Sequence, residues 1–86
     1  MKNDQLGVIS KWSGSSSMTV RIEKKNYSVV CQVQCYKDKD TPRFSSYVIK
    51  NGMLELIGVS DSINTAKFAC NVALKDQGYD VSLMDI

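Results

Sequence analysis

The chain has 86 residues, 43% of them apolar, with 11 Lys and Arg against 9 Asp and Glu, three Cys, one Pro and no His. A chain of this length buries roughly 60–65% of the surface its unfolded form exposes, which suits one domain over residues 1–86 and leaves little room for an enclosed substrate pocket. Without His the commonest general base and metal ligand are missing, and Ser-His, Cys-His and His-metal chemistry go with them, so binding is expected rather than catalysis.

Met1 is followed by Lys2-Asn3-Asp4-Gln5, which is not the basic-then-apolar pattern of a signal peptide. The apolar runs are far shorter than the roughly 18–20 residues that span a bilayer. The expected location is the cytoplasm, or the host cytoplasm for a phage-encoded chain, with no membrane partner. There the three Cys stay reduced and the Asn26-Tyr27-Ser28 sequon is silent.

Leu6–Trp12 and Met18–Glu23 flank the low-complexity stretch Ser13-Gly14-Ser15-Ser16-Ser17, which reads as a flexible turn joining a hairpin. In the second segment Met18, Val20 and Ile22 alternate with Thr19, Arg21 and Glu23. Lys24-Lys25-Asn26 makes a polar turn. The strand signal is cleanest over Tyr27–Tyr36, with Tyr27, Val29, Cys31, Val33 and Cys35 on one face and Gln32, Gln34 and Tyr36 on the other. Lys37-Asp38-Lys39-Asp40-Thr41-Pro42-Arg43 reads as a charged loop at the exposed edge of the sheet.

Asn51-Gly52 stands between Phe44–Lys50 and Met53–Val59, the signature of a two-residue type I′ hairpin, whose turn positions both need positive φ. Pairing across that turn sets Ile49 against Leu54 and Tyr47 against Leu56, one apolar patch. Phe44, Ser46, Val48, Lys50, Met53, Glu55 and Ile57 share the other face, expected to be partly wet. A helix starts at Asp61 or Ser62, either of which caps free amides, and stops at Gly78. Its apolar face is Ile63, Ala66, Ala69, Cys70, Ala73 and Leu74. Tyr79–Ile86 forms a last strand or an ordered tail. The fold class is α+β: an antiparallel sheet of four to five strands packed by one helix in the C-terminal half.

Charge is unevenly distributed. Residues 1–50 hold nine Lys and Arg against four Asp and Glu, and residues 51–86 hold two against five. Arg21, Lys24 and Lys25 form one basic cluster and Lys37, Lys39 and Arg43 another, and the two reach one set of phosphates only where their loops share an end of the sheet. Tyr36, with Tyr27, Tyr47 and Trp12, supplies rings to stack on bases or on a protein partner. These residues are the candidate nucleic-acid or partner-binding site. Cys31 and Cys35 lie about 13 Å apart along a strand, too far to share a metal, so the three Cys read as core residues and no metal or cofactor is expected. The Ser run lacks the GK[ST] of a phosphate loop, and Asp38 with Asp40 reads as solvated loop. Phe68 and Val72 fall nearly opposite the helix's apolar face, so they need cover from Trp12, Leu83 or Met84 or from a second copy in a homodimer.

The hairpin, the Ser/Asp-capped helix start and the spacing of Ala66, Ala69 and Ala73, over residues 18–78, resemble the βββα unit of HicB-type antitoxins and double-stranded-RNA-binding domains. The chain is also similar in size and composition to small phage counter-defence inhibitors. These resemblances imply a non-enzymatic protein that inhibits a protein or ribonucleoprotein target stoichiometrically. The alternative is a stand-alone RNA- or DNA-binding module using the basic loops.

Overall fold

The structure is a computed structural model and describes residues 6–23 and 29–84. Lys24, Lys25, Tyr27 and the Asn26 sequon lie outside the described residues. Strands β1 (Ser17–Arg21), β2 (Val29–Asp38), β3 (Thr41–Lys50) and β4 (Met53–Ser60) form one sheet in the order β1-β2-β3-β4, every pair antiparallel. Helix α1 (Ile63–Gln77) follows and covers one face. The fold is therefore the expected α+β arrangement, with four strands.

Two tight turns set the register. Asn51 and Gly52 both have positive φ, at 53° and 79°, as a type I′ turn requires. The expected pairing holds from Lys50↔Met53 through Tyr47↔Leu56 and then slips by one residue, Ser46 pairing with Gly58. That slip is a β-bulge, which leaves Ile57 as the extra residue of β4. The second turn replaces the expected charged loop. Asp38 pairs with Thr41, Lys37 with Pro42 and Tyr36 with Arg43, so only Lys39 and Asp40 lie outside the ladder, with φ of 52° and 69°. Asp tolerates the left-handed region, and counting from the turn puts Pro42 where its missing N–H would face away from β2, beyond the last residue of β4.

The expected burial of the hairpin is inverted. Ser46 is 1% exposed and its hydroxyl donates to the Ala66 carbonyl at 3.0 Å, which places α1 on the Phe44-Ser46-Val48 side. A small side chain permits this: Ser46 on the sheet lets the Ala66 backbone of the helix come within hydrogen-bond distance, so the two layers approach closely there. The apolar Tyr47-Ile49-Leu54-Leu56 side faces away from the helix.

The helix matches its sequence signals. Ser62 is the N-cap, accepting from the Thr65 amide at 3.4 Å, and Gly78 takes the left-handed C-terminal position with φ 103°. Ala66, Cys70 and Leu74 are buried against Val20, Cys31, Val33 and Val48. The N-terminal segment pairs antiparallel with β1 as expected, through bridges Ile9↔Ile22 and Ser13↔Thr19. It also bridges the tail, where the Ile9 amide donates to the Asp80 carbonyl at 2.8 Å. Ile9 is fully buried. The serine-rich connector is a packed turn: Gly14 has φ 108°, and a Cβ there would collide with the Ser17 carbonyl. Residues 79–84 form an ordered tail that ends with Met84 buried in the core.

Candidate functional site

Alternation along the strands and the ladder register assign the face that α1 leaves uncovered. One row sets Ile49 beside Leu54, the next Thr19, Gln32, Tyr47 and Leu56, the next Ser17, Gln34, Ser45 and Val59. Tyr36 and Arg43 make a row nearer the β2–β3 turn. The β3–β4 half of this face is therefore apolar and the β1–β2 half polar. Leu54, Leu56 and Val59 are each about half exposed, at 53%, 54% and 51%. On the polar half, the Gln32 side-chain Nε2 donates to the Ser17 hydroxyl at 2.7 Å and to the Gln34 side-chain Oε1 at 3.1 Å, which fixes a flat, hydrogen-bonded surface.

Four strands spaced by about 4.8 Å and eight residues rising about 3.4 Å each give a face of about 500 Å². Apolar anchors beside a polar margin are the composition of a protein-binding surface, and exposed apolar clusters of this kind mark interaction sites.

The two edges of the sheet differ. β1 is covered on its outer side: Ser10 donates to the Arg21 carbonyl at 2.8 Å, and Ser13 and Thr19 exchange two bonds of 3.0 and 2.8 Å. β4 has no neighbour on its outer side among the described residues. Lys50/Met53 closes the two-residue turn, so antiparallel alternation points the N–H and C=O of Leu54 and Leu56 outward. On the helix side this edge opens into two clefts, one of about 60 Å³ beside Gly58, Thr65 and Ala69, and one of about 340 Å³ beside Ile57, Ala73 and Asp76.

The expected basic residues that are described, Arg21, Lys37, Lys39 and Arg43, are not gathered at one place. Arg21 pairs near Val29 at one end of β2 and Lys37 lies at the other, eight residues or about 27 Å away. A meander puts successive turns at opposite ends, so the condition for a joint phosphate site fails. Lys37, Lys39, Arg43 and Tyr36 do share one location. β1 reaches only to Gln34 and β4 only to Phe44, so Tyr36–Arg43 projects as a two-stranded ribbon along a molecule 49 Å in its longest dimension. Asp38 and Asp40 lie among its three basic residues.

On the helix, Phe68 is 57% exposed and Val72 41%. The intramolecular covers expected for them lie elsewhere: Trp12 meets Lys67, whose ammonium is 6.0 Å from the ring centre, Met84 contacts Asn71, and Leu83 is itself exposed.

Sequence spacing dismissed Cys31 with Cys35, and the structure instead joins Cys31 to Cys70. Both are free thiols. The Cys31 thiol donates to the Tyr47 carbonyl at 2.8 Å, and the Cys70 sulfur lies 4.0 Å from the same oxygen. The neighbouring Cys70 thiol and burial together push the Cys31 thiol up, away from ionisation. The Cys70 thiol moves the opposite way, its contact with Cys31 drawing it below the usual thiol value against the effect of burial. Among the described residues there is no group of three or more metal-ligating side chains, and no helix is long and apolar enough to cross a membrane.

Comparison with protein-family models, with characterised proteins and with solved structures finds no match. The functional reading therefore rests on this geometry.

Proposed function

We propose that this chain is a non-enzymatic binding protein that acts by occupancy, inhibiting a protein target stoichiometrically from the cytoplasm. The observation that carries the reading is the uncovered sheet face, where Tyr47, Ile49, Leu54, Leu56 and Val59 lie together beside a hydrogen-bonded polar half. Leu and Val held half exposed by a rigid ladder lose little conformational freedom on docking, which favours binding by a preformed surface. The free thiols fit a reducing compartment.

The test is a photo-crosslinking residue at Leu56, with Lys75 on the outer helix as control, in cells that express the protein. A captured target should rebind the purified protein at one-to-one stoichiometry. Leu54→Ser with Leu56→Ser should weaken that binding by more than about tenfold, the loss of roughly 1.4 kcal/mol or more at a central apolar contact. Binding unaffected by this pair refutes the assignment of the face.

The projecting ribbon supports a second reading. A two-stranded ribbon fits the major groove of a duplex, and Lys37, Lys39 and Arg43 supply phosphate contacts with Tyr36 beside them. Binding of this kind weakens steeply with salt, and alanine at the three basic residues should reduce the salt slope by about 3.

A further inference from the structure

We infer that β4 is the contact edge of a symmetric homodimer in which two copies join their sheets into one continuous eight-stranded sheet. The inference does not depend on the proposed function, because it uses the edge of the sheet and the flank of the helix rather than the open face.

The first support is the asymmetry of the edges. Among the described residues, the chain covers β1 with its own N-terminal segment and leaves β4 bare. Exposed edge strands are ordinarily blunted by Lys, Pro or a bulge. β4 contains neither Lys nor Pro, its only charged residue is Glu55, and its bulge lies at Ile57. Met53–Leu56 is thus a regular strand offering the outward N–H and C=O of Leu54 and Leu56. These groups specify the occupant as an extended strand.

The second support is the space beside the edge. Ala69 and Ala73, which line the two clefts, leave the helix flank open above the outer side of β4. α1 rests mainly on β3 and β4. A twofold axis perpendicular to the sheet would pair β4 antiparallel with its copy and keep both helices on one face. The two β3 strands would then be three strand spacings, or about 14 Å, apart. Packed helices stand 8–10 Å apart at the contact, so side chains must fill the remaining gap. Thr65, Ala69, Ala73 and Asp76, on the helix flank above β4, are the residues that face that gap. One arrangement therefore satisfies both the free edge and the clefts.

The area is sufficient. β4 is about 27 Å long, and the shorter dimensions of the molecule are 24 and 22 Å, so the contact covers about 600 Å² per copy. The total of about 1,200 Å² reaches the lower bound for specific interfaces. Within this geometry, a register that sets Glu55 of one copy opposite Glu55 of the other is disfavoured by like charge. Pairing centred on Leu56 avoids it and keeps the length of β4 in the contact.

Sedimentation velocity across a concentration series, with residue-resolved hydrogen exchange, tests the inference. The expected result is a mass of twice 9.6 kDa at high concentration, with the Leu54 and Leu56 amides protected. Leu54→Pro, whose missing N–H faces outward and leaves the ladder to β3 intact, should give a monomer in which the Leu56 amide exchanges more than about tenfold faster. A chain that stays monomeric throughout overturns the inference and leaves the edge to a foreign strand. A dimer whose Leu54 and Leu56 amides exchange freely also overturns it, in favour of contact through the open face.

Discussion

Val48 and Leu56 stand on adjacent strands of one hairpin and on opposite faces, and truncating each tests which side of the sheet is the core. Val48 is 1% exposed. Val48→Ala removes two methylene equivalents from contact with α1, worth about 1.6 kcal/mol at 0.8 kcal/mol each. The cavity left behind, about 50 Å³ at 24 cal/mol per Å³, adds about 1.2 kcal/mol, for a loss of about 2.5–3 kcal/mol. Leu56 is 54% exposed. Leu56→Ala removes three methylene equivalents that are only about half buried and leaves no cavity, so the expected loss is about 1 kcal/mol or less. Urea unfolding followed by circular dichroism, at matched protein concentration, measures both as midpoint shifts at constant slope. Leu56→Ala costing as much as Val48→Ala, or more, refutes the assignment of the faces and with it the candidate site.

Gly14→Ala should destabilise by more than about 1 kcal/mol, because the position needs φ of 108° and the new methyl meets the Ser17 carbonyl; a midpoint unchanged from wild type would show the turn to be loose. Ser62→Ala should cost about 0.5–1 kcal/mol, the low end for a cap, since its bond to the Thr65 amide is long at 3.4 Å; the loss is read by thermal unfolding. Cys31 has its pKa raised in the folded chain, so its contribution is fully present below the unfolded thiol value and is lost as pH rises above it. Stability should therefore fall as pH rises beyond the unfolded thiol value of about 8.5, the lowered Cys70 thiol acting in the opposite direction below it, and Cys31→Ala with Cys70→Ala should flatten both limbs in urea titrations. Asp80 has the opposite sign: the Ser82 amide and hydroxyl hold its carboxyl below the usual range. Its contribution is present above the unfolded carboxylate value and is lost in acid, so Asp80→Asn should reduce the acid sensitivity of unfolding.

Local chemistry determined much of this protein from the sequence alone. Ser62 and Gly78 bound the helix because a cap and a left-handed stop act within one turn of the chain, and Asn51-Gly52 set a register that holds as far as Leu56 because positive φ is a property of those two residues. The Lys39-Asp40 turn escaped notice because neither residue is Gly, and because alternating charge around a Pro has the composition of a loop. The choice of buried face could not be read locally. Tyr47, Ile49, Leu54 and Leu56 are the more apolar side of the hairpin, yet the helix settles on Ser46 and Val48, where Ser46 meets the Ala66 backbone. Close approach between layers depends on small residues from segments twenty positions apart, and the Ser46 hydroxyl is tolerated there only because the Ala66 carbonyl is within reach. The same is true of the site. Residue types and alternation are written in the sequence, but whether an apolar stripe becomes a core or an open face, and whether two basic clusters meet, follows from how the meander and the helix stack.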